Sequence, residues 1–175
     1  MAAALNAFMQ IGEAEGETKQ APYTTPKPWI ELQSWDWEVE AETSWTKGGG
    51  AAVGKPSPGK MNWEHVWDRS SNTILAFICT GKAFEKVRLE MCKSTGSKGR
   101  QPFFTVVMEE AFITKVTQSA TDEGNVTQKV EMVFKTIEIQ YWQQGTDAND
   151  PGGLKNVGTF FWDIPAGEAS PDQGG

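Results

Sequence analysis

The chain has 175 residues, with 23 acidic against 16 basic side chains and a formal charge of −7. That length fits one domain with a core of its own, and the acidic balance argues against nucleic acid as the main partner, because phosphate binding needs a basic face. No apolar run approaches the roughly 20 residues that span a bilayer, so membrane insertion is not expected either.

The first seventeen residues carry neither a basic segment nor a sustained apolar run, which is not the pattern of an export signal peptide. A cytoplasmic start is therefore expected. Leu5–Ile11 reads as a first strand, and Gly12–Pro28 as a loop. Trp29–Val39 is a strong strand whose mixed odd positions suggest a bulge or a two-sided strand. Glu40–Lys60, with Gly48-Gly49-Gly50, Gly54, Pro56, Pro58 and Gly59, lacks any core pattern and reads as one long loop. Met61, Trp63, His65 and Trp67 then alternate with Asn62, Glu64, Val66 and Asp68 as a strand.

Ser71–Lys93 organises the rest. Ser70 and Ser71 offer hydroxyls to cap a helix, Ile74, Leu75, Phe77 and Ile78 give it one apolar face, and Gly81 supplies a left-handed stop with Lys82 beyond. The period then changes to two: Val87, Leu89 and Met91 alternate with Arg88, Glu90 and Cys92. One helix of about three turns cannot bury itself, so it must lie on a sheet. Ser94–Gln101 is a turn, and Phe103–Ser119 and Gln128–Gln143 form a hairpin across Asp122-Glu123-Gly124-Asn125. Thr159–Ile164 is a last short strand, and Pro165–Gly175 a small, polar tail expected to be disordered. Many strands, one helix and no strand–helix alternation predict a mainly β, antiparallel barrel or sandwich, with 1–164 as its single domain.

Catalytic or metal chemistry finds little purchase. His65 is the single histidine and has no partner motif. Glu109 and Glu110 are adjacent on a strand and point to opposite faces. Asp147, Asn149 and Asp150 lack the bidentate glutamate of a calcium loop. The Gly48–Gly50 cluster has no G-K-[ST] closing it. No catalytic residue, metal or cofactor is predicted. Cys79 and Cys92 are expected as free thiols. The eight Trp fit a packed β core first, with a monomeric aromatic-lined barrel for a small apolar ligand or glycan as the alternative.

Several segments taken in order resemble the haemolysin-coregulated protein (Hcp) family, the tube protein of bacterial type VI secretion. They are Ile11-Gly12 with Gly16-Glu17, Trp29–Ser34 with Trp37, the Gly48–Gly50 loop, Asp68–Ser71 leading to Thr80-Gly81-Lys82, Val87–Cys92, Phe134–Glu138 and Trp162-Asp163. Pro22–Pro28, Trp63–Trp67 and Glu168–Gly175 depart from that pattern and leave room for a phage-like tail tube of the same architecture. The resemblance implies a two-sheet antiparallel β-barrel with one short helix at its side, assembled as a homohexameric ring. Rings would stack into a tube that leaves through the secretion machine, with effector proteins in the lumen and spike, sheath and baseplate components as partners. It also implies that 40–60 is an extended arm reaching the adjacent ring through Trp45, Lys47, Gly48, Gly49, Gly50 and Val53, with Trp45 the large apolar anchor.

Overall fold

A computed structural model describes residues 5–46, 49–145, 149 and 152–172. Along them run β1 (Ala7–Ile11), β2 (Ile30–Asp36), β3 (Val39–Thr46), β4 (Gly50–Pro58), β5 (Met61–Val66), α1 (Arg69–Thr80), β6 (Phe84–Ser94), β7 (Arg100–Ala120), β8 (Val126–Val133), β9 (Thr136–Gln144), β10 (Leu154–Asp163) and β11 (Glu168–Asp172). Six strands close on themselves in the order β7–β6–β1–β2–β5–β8 and back to β7, every pairing antiparallel. Closure removes the free edges an open sheet would leave.

The length of β7 makes a second layer possible. At 21 residues it would span about 70 Å fully extended, longer than any neighbour. Phe104–Glu109 pair with β9, and Phe112–Ala120 pair with β8. The two partners follow one another along β7, so Gln128–Gln143 does not run as one unbroken strand. It breaks at Phe134-Lys135, opposite Glu110, whose φ of 49° interrupts the pleat. There the sheet forks: β8 continues into the barrel through β5, while β9 carries β10 and β11 as a wing. The same kink removes the strict alternation expected of Glu109 and Glu110, and both side chains are exposed.

The core follows from the two-residue period. Ala7, Met9 and Ile11 of β1 face inward against Ile30, Met61, Trp63, Val87, Leu89, Val106, Met108, Val130 and Met132. Phe8 points the other way, yet it too is buried, stacked on Tyr23 at 4.2 Å under the 12–28 loop with Trp29 beside it. Cys92 belongs to this satellite cluster and Cys79 is exposed; both are free thiols. The tryptophans mostly fill space: Trp63 and Trp162 are buried, and Trp35 and Trp37 pack on the core.

Helix α1 starts at Arg69, two residues earlier than a cap at Ser70 would place it. Asp68 is the N-cap, accepting from the Ser70 amide at 2.8 Å, and Ser71 completes a capping box by accepting from the Asp68 amide at 3.1 Å. Gly81 ends the helix in the left-handed region, φ 67°, as its position foretold. Ile74 is buried in the core, and Phe77 stacks on Phe84 of β6 with ring centroids 4.0 Å apart.

Two expectations need correcting. Residues 40–60 are not an irregular loop: β3 and β4 pair as an antiparallel hairpin of their own, separate from the main sheet. The tail is not wholly structureless either, since Glu168–Asp172 forms β11 and pairs with β10. Neither segment announces itself by pattern, because the described side chains of both are exposed or nearly so and no face alternates apolar with polar.

Candidate subunit interface

The hairpin β3–β4 leaves the barrel between β2 and β5, and its root is well defined. The Gly59 amide donates to the Glu38 carbonyl at 2.7 Å, and the Trp37 indole donates to the Gly59 carbonyl at 3.1 Å. A side chain at Gly59 could not be accommodated, because its Cβ would lie 2.7 Å from the Glu38 carbonyl oxygen. Beyond the root β3 and β4 pair with each other, with a register shift between Ala41 and Thr43.

Register places two of the predicted contact residues together. Thr43 pairs with Val53 and Trp45 with Ala51, so Trp45 and Val53 lie on one face of the hairpin. Trp45 is 80% exposed and Val53 69%. A tryptophan left this far in water gives up most of the ~2–3 kcal/mol its burial would contribute. Gly49 lies in the turn, and Gly50 opens β4 with φ 79°. Lys47 and Gly48 lie outside the described residues.

His65 sits elsewhere, wholly buried under the first turn of α1. Its Nδ1 accepts from the Trp63 indole at 3.0 Å, and its Nε2 lies 3.2 Å from Ser71 Oγ. Burial pulls the imidazole down from 6.5 to about 4, against smaller opposing effects of Gln128 and Glu64. The ring is therefore neutral at pH 7 and enclosed. Among the described residues no group of three or more His, Cys, Asp or Glu is placed to hold a metal ion, and no helix is long and apolar enough to cross a membrane. Asn149 is described; Asp147 and Asp150 lie outside the described residues.

Comparison with known proteins places this architecture. Protein hcp1 of Pseudomonas aeruginosa is 24% identical over 162 residues, covering 92% of this chain and 96% of that protein. A solved type six secretion system protein superposes with a TM-score of 0.81 at 19% identity, over 95% of this chain and all of the other. Hcp1 from Salmonella typhimurium superposes with a TM-score of 0.73 at 23% identity, over 96% and 100%. A type VI secretion system effector from Yersinia pestis gives 0.69 at 20% identity, over 90% and 99%. The family model described as "Type VI secretion system effector, Hcp" matches residues 8–141. With that match over most of its length and the barrel shared with these structures, the chain belongs to the Hcp family, the tube proteins of type VI secretion.

Proposed function

We propose that this chain is a structural subunit that closes into hexameric rings, that the rings stack into a tube, and that the hairpin β3–β4 makes the contact between rings. The observation that carries this reading is the apolar face of Trp45 and Val53, held out in water on a hairpin that pairs with no other strand among the described residues. Head-to-tail stacking of rings calls for heterologous contacts, and a projecting arm supplies one half of such a contact without disturbing the barrel. The tube would assemble in the cytoplasm, carry effector proteins in its lumen and be expelled with the spike when the sheath contracts.

The tight interior speaks for this over a ligand-binding barrel. Met9, Ile11, Ile30, Met61, Leu89, Met108 and Met132 are all buried inside the closed strands, and the buried Trp63 and Trp162 pack in the same core. Negative-stain images and light scattering of the purified chain test the proposal. Annular particles with the mass of six chains are expected, and a monomer at high concentration would overturn it. Trp45→Ser with Val53→Ser, or deletion of Thr43–Ser57, should leave rings that no longer stack.

A further inference from the structure

His65 fastens the helix to the barrel through bonds that tolerate only one protonation state. The Trp63 indole can only donate, so His65 Nδ1 must be the bare, accepting nitrogen, and the proton sits on Nε2. Nε2 then donates to Ser71 Oγ, the same oxygen that accepts the Asp68 amide and completes the helix cap. From β8, Gln128 Nε2 reaches the Ser71 carbonyl at 3.4 Å and Gln118 Oε1 of β7 at 3.2 Å. Two strands, β5 through His65 and β8 through Gln128, thus meet the first turn of α1 at Ser71, with β7 holding Gln128 from behind.

Adding a proton to Nδ1 would set two N–H groups against each other at 3.0 Å and bury a cation at a cost that the opposing effects of Gln128 and Glu64 do not offset. The charged groups nearby do not repair this. Glu64 precedes the ring on β5 and is partly engaged by Lys129 of β8 at 4.0 Å. Asp68 is committed to Ser70 at the cap, and Arg69 beside it is paired with Glu15. Gln118 and Gln128 carry no charge. We propose that His65 is an acid-release catch: protonation breaks the Trp63–His65–Ser71 chain and frees the N-terminal turn of α1 from β5 and β8 while the barrel strands stay paired.

The sign follows from linkage. An imidazole harder to protonate folded than unfolded leaves the packed state intact above about pH 6.5 and weakens it progressively as the pH falls toward 4. Hydrogen exchange of the full chain, with rates divided by the intrinsic rate at each pH, reads the effect. Protection of the α1 amides, residues 69–80, should fall by roughly a hundredfold between pH 6.5 and 4, while β6 and β7 keep theirs. His65→Gln, which cannot titrate, should make α1 protection flat with pH. Should that variant fail to fold, NMR titration of the wild-type chain decides: the His65 ring and the Trp63 indole N–H should shift together at one midpoint below pH 5. A His65 midpoint near 6.5, an unmoved Trp63 indole, or α1 protection that falls only along with β6 and β7 would each overturn the catch.

Discussion

Lys135 Nζ lies 3.1 Å from Glu110 Oε1 across the point at which the sheet forks. The backbone holds the same joint: the Lys135 amide donates to the Glu109 carbonyl at 3.0 Å, and the Ile164 amide donates to the Lys135 carbonyl at 3.0 Å. The Glu110 bond raises the pKa of Lys135, but that ammonium is fully exposed and water and salt screen the pair. The backbone bend, more than the ion pair, makes the fork. Glu110 is the one non-glycine residue with positive φ among those described, and such a conformation costs a β-branched side chain about 1–3 kcal/mol. Glu110→Val should therefore lower the thermal midpoint by several degrees, whereas Glu110→Gly should match wild type or exceed it. Thermal unfolding at fixed protein concentration checks both, and equal loss in the two variants would show that the carboxylate, not the bend, holds the joint.

Gly59 fixes the base of the arm by the space it does not occupy. Gly59→Ala would push a methyl against the Glu38 carbonyl at 2.7 Å, a backbone atom with no rotamer to yield. Relief would lengthen the Gly59–Glu38 bond or tilt Trp37 off its carbonyl partner. A loss of about 1–2 kcal/mol is expected, together with faster exchange of the amides in 39–58 and little change in β6 and β7. An alanine variant with unchanged exchange in the hairpin would mean that the root is free to shift.

The sequence revealed the barrel strands wherever one face is buried and hid them where none is. Val87 and Leu89 of β6 and Met61, Trp63 and His65 of β5 alternate because the core lies to one side, although Glu90 and Cys92 on the other face of β6 are buried too. The turn at Asp122–Asn125 is marked by its glycine. The described side chains of β3 and β4 meet mostly water, so hydrophobic period carries no signal and the Gly and Pro content reads as loop. The interface candidates Trp45 and Val53 were nevertheless visible as apolar residues without a core to join. What could not be read was their common face, because that depends on the register shift between Ala41 and Thr43. The break at Phe134-Lys135 was hidden too, since Phe134 is buried and continues the apolar pattern through the corner.

Asp68 rather than either serine caps α1, and its carboxyl is held above the ordinary range by burial, against hydrogen bonds from Ser70 and Ser71 that favour the charged form. A carboxyl that binds its proton more readily folded than unfolded opposes folding at neutral pH and favours it as the pH falls through that range. Asp68→Asn keeps the accepting oxygen and removes the charge, so its stability at pH 7 should equal or exceed wild type, with the advantage fading in acid. Asp68→Ala loses the cap and should cost about 1 kcal/mol. Urea unfolding at pH 7 and in mild acid separates the two effects; an asparagine variant as weak as the alanine one would assign the stability to the charge.

Trp162 joins the wing to the base of the arm. It stands on β10, buried, with its ring centroid 6.5 Å from that of Trp37, which in turn lies 6.0 Å from Phe134 at the fork. One aromatic cluster therefore touches the wing, the fork and the residue that hydrogen-bonds the arm's root. Trp162→Ala should cost about 3–5 kcal/mol, because a buried indole leaves a cavity that paired strands cannot collapse to fill. Trp37→Ala should cost less, being half-buried, but it removes the Gly59 bond as well. If the two rings act together, the double variant should be less destabilised than the sum by about 0.5–1.5 kcal/mol. Strict additivity would mean that wing and arm root are independent, and that disturbing the wing could not reach the hairpin that carries Trp45.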